Sequence, residues 1–198
     1  MIDCPDPPRL VQFRLASTEP SRFVEQQASL LDTGLPVLDA PCGLGRNSLF
    51  LAERGYQVIG MDIDRERVNF VASEARNAAQ LKKNLSLAVC DLNAERLPLA
   101  EASFGTLLIV HFIPEQWSNY LAVLSTGGYL LFESMGGQGG NYLHLPRVGQ
   151  IRALLEPGFN VSLYRERPVG PHAANAVAVR LVARKICENC ERLDACSP

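Results

Sequence analysis

The chain has little that would tie it to a membrane. Its apolar runs, such as 107–110 and 176–179, are strand-sized and far short of a bilayer crossing. It has no positive excess: Lys and Arg number 19 against 21 Asp and Glu, a formal net charge of -2. A non-specific grip on nucleic acid or on an anionic lipid surface is therefore not expected. The opening Met-Ile-Asp-Cys-Pro-Asp-Pro-Pro lacks the basic start and apolar stretch of a secretory leader. Secretion is not expected, and Cys4, Cys42, Cys90, Cys187, Cys190 and Cys196 read as reduced thiols of a cytoplasmic protein. Internal repeats and low-complexity segments are also missing.

What is present suits one compact domain. With 198 residues, 47% of them hydrophobic and 20% charged, the chain can bury a core without disulfides or a structural metal. Turn residues punctuate it into alternating strands and helices. An irregular arm over 1–20 leads to a helix over 22–31, and a strand over 37–39 follows. A glycine-containing turn then enters a helix over 47–54, which Gly55 closes. After a second strand (57–61), Asp64 is placed to cap one long amphipathic helix running to about 81. Third and fourth strands are expected over 85–90 and 104–112. A helix carrying Trp117 and Tyr120 follows, with both rings read as core. Gly127-Gly128 then turns into a fifth strand over 129–133.

Strands separated by helical crossovers imply a parallel sheet covered on both faces. Beyond a short helix over 148–155, two extended runs (160–164 and 176–182) have no helix between them and can pair only antiparallel. The expected organisation is a single domain over 1–184, its first 35 residues an arm and helix over the site. A cysteine-containing tail occupies 185–198.

The stretch Val37-Leu38-Asp39-Ala40-Pro41-Cys42-Gly43-Leu44-Gly45-Arg46-Asn47 carries the chemistry. A glycine turn between strand and helix lets main-chain amides approach a ligand at the carboxyl end of a parallel sheet. Asp39 sits on the strand end before the glycines, where it would repel a pyrophosphate but favour an ammonium or sulfonium group. Asp62 ends the second strand, where a carboxylate can accept both hydroxyls of a ribose. Asp91 follows the third strand, placed to accept from an exocyclic adenine amine, while an adjacent main-chain N–H donates to a ring nitrogen. Ribose, adenine and a cationic amino-acid tail together describe S-adenosylmethionine. A NAD(P)-dependent oxidoreductase is the alternative, since Asp62 also falls where a NAD-binding acid would. Against it, Ser48 stands at the third glycine position of Gly-x-Gly-x-x-Gly. A non-catalytic, cofactor-sensing or partner-binding protein on the same fold is a further alternative.

With Leu51-Ala-Glu-Arg-Gly and Val58-Ile-Gly-Met-Asp62-Ile-Asp64, the glycine stretch resembles motif I and the acidic loop of class I S-adenosylmethionine-dependent methyltransferases. Pro20-Ser21-Arg22-Phe23, Gly127-Gly128-Tyr-Leu-Leu-Phe-Glu-Ser and Asn141-Tyr-Leu-His-Leu-Pro resemble more narrowly the small tellurite-resistance-type branch, as does Gly149-Gln-Ile-Arg-Ala-Leu-Leu. The resemblance implies a Rossmann-like three-layer α/β sandwich. Its seven-stranded, mostly parallel sheet would have one antiparallel strand near the C-terminus. It implies Asp39, Pro41, Cys42, Gly43, Gly45, Arg46, Asp62, Ile63, Asp91 and Leu92 as cofactor residues. Pro41 replaces the first glycine of the family's Asp-x-Gly-x-Gly-x-Gly pattern, keeping the carbonyl and losing the N–H.

The implied reaction is methyl transfer to a small-molecule acceptor, with neither nucleic acid nor membrane as partner. His111, at the end of the fourth strand, and His144, after the glycine-rich stretch 136–140, are the candidate catalytic groups. That stretch lacks the Gly-Lys-Ser/Thr of a phosphate loop and reads as a lid edge. His111-Phe112-Ile113-Pro114 lacks the Asn/Asp-Pro-Pro-aromatic signature of enzymes that methylate base amines. Cys187, Cys190 and Cys196 fall short of the four ligands of a closed zinc site, so no metal is expected.

Overall fold

The computed structural model describes residues 19–31, 34–76, 78–134, 144–171 and 174–187. The elements run α1 (Arg22–Gln27, prolonged by a 3-10 turn over Ala28–Leu30), β1 (Val37–Asp39), α2 (Arg46–Glu53) and β2 (Val58–Asp62). Next come α3 (Arg65–Ala75), α4 (Ala79–Asn84), β3 (Leu85–Val89), β4 (Phe104–Val110) and α5 (Trp117–Val123). The chain continues through β5 (Leu124–Glu133), α6 (Gln150–Leu155), β6 (Phe159–Val169) and β7 (Ala176–Lys185). The seven strands form one sheet in the order β3-β2-β1-β4-β5-β7-β6. All neighbouring pairs from β3 to β5 are parallel. β7 is antiparallel to both β5 and β6, so it is the one reversed strand, as the hairpin of the last two runs requires.

Alternation along the central strands sends side chains to two separate cores. Leu107 and Ile109 of β4 join Tyr120 and Val123 of α5 and Ile151 and Leu155 of α6 on one face. Leu108 and Val110 join Phe23 and Val24 of α1 and Phe50, Leu51 and Ala52 of α2 on the other. β4 is buried at all seven positions, as a strand covered on both faces must be. Tyr120 is 1% exposed, with its hydroxyl donating to the Leu92 carbonyl at 2.9 Å, and Trp117 stands edge-on to Phe132. Tyr120 is core, as expected, and the half-buried Trp117 packs against that core.

Three local expectations change. The long helix from Asp64 is two helices. α3 closes at Ala75, and α4 redirects the chain so that Leu81 packs with Phe50 and Leu51 on the α2 side. Asn84 fixes the new direction, donating to the Ala52 carbonyl at 3.0 Å and accepting from Gln57 at 2.8 Å. Gly127-Gly128 lies inside β5 rather than before it, where the register against β4 jumps from Phe104↔Leu124 to Thr106↔Tyr129. A Cβ at Gly128 would stand 2.8 Å from the Gly105 carbonyl oxygen. The terminal hairpin is longer than its apolar runs, because Arg165, Glu166 and Arg167 continue β6.

No helix among the described residues is long and apolar enough to cross a membrane. The arm over 1–18, the glycine-rich stretch 136–140, Asn141, Tyr142, His172, Cys190 and Cys196 lie outside the described residues.

Gly45 shows how motif I is built. It caps α2 with φ 75°, in the left-handed region, and a Cβ there would stand 2.6 Å from Cγ1 of Val71 on α3. Gly45→Ala is expected to cost about 2–4 kcal/mol from backbone strain and overpacking together, read by urea denaturation. Gly43, with φ 57° and nothing within 4 Å of a Cβ, should lose only the backbone part on the same change.

Candidate cofactor and acceptor site

β1 and β4 lie side by side while the chain leaves them toward opposite edges of the sheet. A crevice must therefore open outside their carboxyl ends. A cavity of about 580 Å³ lies there. Its walls are the strand ends and the turns and helix starts that follow them: after β1 Pro41, Cys42, Gly43, Leu44, Arg46 and Asn47, at β2 Asp62, Ile63 and Arg67, after β3 Asp91, Leu92 and Asn93, and at β4 Val110, His111 and Phe112.

The structure brings together Pro41, Cys42, Gly43, Arg46, Asp62, Ile63, Asp91, Leu92 and His111 on this one wall. Asp62 is 3% exposed, and its orientation is set by two main-chain donors. Gly43 N–H reaches Oδ2 and Asp64 N–H reaches Oδ1, each at 2.9 Å. Each oxygen keeps a further lone pair for a diol. Ile63 is 63% exposed, an apolar side chain left beside the carboxylate. Asp91 is exposed and accepts Asn93 N–H at 3.0 Å, which turns the loop after β3.

Two members of the expected set stand apart from the wall. Gly45 serves the packing of α2 on α3. Asp39 is fully buried, and Oδ2 accepts from Ser48 Oγ at 2.5 Å while Oδ1 has no hydrogen-bond partner. Burial raises its carboxyl to about 7, against the opposing Ser48 hydrogen bond and the Arg46 charge. Burial likewise pushes the Cys42 thiol well up, assisted by Asp39 and Asp62. Cys42 is therefore a neutral wall residue, without thiolate reactivity. His144 is exposed, on a short turn before α6, and lines neither cavity described here.

His111 ends β4 with φ 59°, a left-handed conformation uncommon for a residue with a side chain. Its N–H is held by the Glu133 carbonyl at 2.7 Å. Burial first, then the Arg46 charge, holds its imidazole below the ordinary value of 6.5, with Glu133 opposing. The same residue lines a second cavity of about 640 Å³, built from the carboxyl end of β5, the hairpin residues Tyr164, Arg165, Glu166 and Arg167, and Ala178, Val179 and Arg180. Glu133 organises this side. Its Oε1 accepts from Arg180 Nε at 2.7 Å and Oε2 from Ser21 Oγ at 2.6 Å. Ser21 N–H also donates to Asn47 Oδ1 at 2.9 Å, which joins the start of α1 to the start of α2.

Sequence reasoning does not single out Glu133, Arg180, Arg165 or Arg167. A strand-end acid at Glu133 is the one available signal. The arginines are invisible without the hairpin register, because a charged edge strand ordinarily reads as solvated surface.

S-adenosylmethionine fits the residues present. A pre-oriented diol acceptor (Asp62), an exposed apolar side chain (Ile63) and open space above Gly43 occur along one wall. Among the described residues no group of three or more His, Cys, Asp or Glu could hold a metal.

Asp39 and Asp62 should separate in experiment. Asp62→Ala is expected to weaken S-adenosylhomocysteine binding tenfold or more in calorimetry, by about 1.5–3 kcal/mol. The raised acid of Asp39 contributes stability that is full below its unfolded value near 3.8 and lost as pH rises through about 7. Asp39→Asn should flatten that fall, on the order of 4 kcal/mol across the window, in denaturant titrations of ligand-free protein.

Comparison with known proteins gives the same picture. Residues 37–128 match the family model described as a methyltransferase domain. No curated protein matches the chain. Among solved structures, an S-adenosylmethionine-dependent methyltransferase from Methanosarcina mazei is 21% identical with TM-score 0.60, covering 86% of this chain and 100% of its own. TehB from Haemophilus influenzae is also 21% identical, with TM-score 0.61, covering 82% of this chain and 61% of its own. A methyltransferase from Aquifex aeolicus is 17% identical with TM-score 0.64, covering 91% of this chain and 99% of its own. With the strand order, the strand-end carboxylates and the matched segment in agreement, the chain carries a methyltransferase domain over residues 37–128 within the fold of the S-adenosylmethionine-dependent methyltransferases.

Proposed function

We propose that the protein methylates a small-molecule acceptor seated in the second cavity, with His111 as the group that receives the acceptor's proton. The observation that carries this reading is that His111 alone lines both cavities. The strained turn at its backbone holds it at their junction. A volume of about 640 Å³ suits a metabolite-sized molecule. The net charge of -2 offers no broad cationic surface for a nucleic acid.

S-adenosylmethionine supplies a methyl group activated by its sulfonium, which departs as the neutral thioether S-adenosylhomocysteine. The chain's own contribution is placement. Asp62 and the Gly43 turn hold the nucleoside, and the loops after β3 and β4 close the adenine side. His111, neutral at pH 7 because its imidazole is held below 6.5, accepts a proton from a thiol, hydroxyl or ammonium acceptor. His144, outside both cavities, is left without a part in this reading. The resemblance to the tellurite-resistance-type branch belongs to the same proposal, supported by Pro20-Ser21-Arg22-Phe23, whose Ser21 reaches Glu133.

Incubating the enzyme with methyl-labelled cofactor and a cell extract tests the acceptor class. Label is expected in the low-mass fraction; label confined to RNA or protein would overturn the small-molecule reading. His111→Gln should lower kcat by about 10²-fold or more while S-adenosylhomocysteine affinity stays unchanged. In the parent enzyme kcat/KM should rise with pH through a value below 6.5 and then level off.

A further inference from the structure

Resting on the reading of the second cavity as the acceptor compartment, we infer that it takes an anionic acceptor. A carboxylate or equivalent oxyanionic group would be held by Arg165 and Arg167.

The register carries this inference. Glu133 of β5 pairs with Arg180 of β7, and Arg180 pairs in turn with Arg165 of β6. The three residues therefore form one row across the sheet, on one face, at the edge of the cavity. Directly opposed like charges on neighbouring strands repel, and here two guanidiniums stand opposite one another. Glu133 relieves only one of them. Its Oε1 is taken by Arg180 and its Oε2 by Ser21, and with 8% of its side chain exposed it cannot swing toward Arg165.

Arg167 lies two residues along β6 and so on the same face as Arg165. It pairs across the hairpin with Ala178, a side chain too short to cover it. The remaining carboxylate, Glu166, points the other way in the alternation. Its Oε1 accepts the Tyr164 hydroxyl at 2.5 Å and Gly149 N–H at 2.7 Å. Neither Arg165 nor Arg167 has an ion-pair partner among the described residues.

A chain of net charge -2 thus gathers three guanidiniums against two carboxylates around one cavity. Two parallel N–H donors on a guanidinium match the two oxygens of a carboxylate. An anion anchored there leaves the rest of the molecule to extend toward His111, the residue shared with the cofactor cleft.

The full-length protein saturated with S-adenosylhomocysteine should be titrated with benzoate, with its neutral isostere benzamide, and with inorganic phosphate. Arginine side-chain N–H resonances in NMR give the readout. Saturable binding of benzoate or phosphate below about 10 mM is expected, with benzamide inert. Benzoate above phosphate identifies a carboxylate acceptor, and the reverse order a phosphorylated one. Arg165→Gln with Arg167→Gln should weaken the anion tenfold or more, leave S-adenosylhomocysteine affinity unchanged, and be partly rescued by lysine at both positions. Equal response to benzoate and benzamide, or no saturable response to either anion, overturns the inference. So does an anion affinity that survives the double change. Failure of S-adenosylhomocysteine itself to bind would instead remove the function on which the inference rests.

Discussion

The parallel pairing of β1 with β4 at the centre of the sheet constrains everything around it. Leu38 lies against Leu107 and Asp39 against Leu108, all fully buried, so the two strand ends are fixed side by side. The chain leaves β1 toward β2 and β3, and leaves β4 toward β5 and the hairpin. No helix can cover the point between them, and the crevice there is obligatory. The expected cofactor residues that line the crevice are those that follow these strands. Asp62 then needs only the Gly43 and Asp64 amides to orient it, and those amides are supplied by the two turns that the strand ends force.

A second centre depends on Glu133. Its side chain fastens Arg180 of β7 and Ser21 before α1, and its carbonyl receives the N–H of His111. One residue thus ties the start of α1 to the sheet, sets the backbone of His111 and neutralises one of the cavity's arginines. Its low exposure strengthens the two side-chain bonds, because a carboxylate removed from water must be fully paired. The first cleft and the second cavity meet at His111, the residue whose N–H the Glu133 main-chain carbonyl receives.

Motif I holds residues of different kinds within a few positions. Gly43 faces open space and turns its amide to Asp62, whereas Gly45 presses against Val71 and holds two helices together. Asp39 lies beneath the turn, bonded to Ser48, rather than on the cleft wall. A shared sequence pattern therefore mixes residues that line the crevice with the packing that keeps them in place, and only burial and distance separate the two.

The sequence by itself determined the strand and helix order, the reversed strand, and the placing of Asp62 and Asp91 at strand ends. These follow from apolar periodicity and turn residues, which act over a few positions along the chain. It could not determine that α3 and α4 are separate helices, because Leu81 and Asn84 are turned by contacts with α2, distant in sequence. Nor could it place Glu133, Arg180 and Arg165 in one row, since that depends on hairpin register, and a shift of one residue would send the arginine to the opposite face. The cofactor cleft is legible because its residues follow consecutive strands. The second cavity is assembled from strands paired out of order, so only the tertiary structure decided which charges meet there.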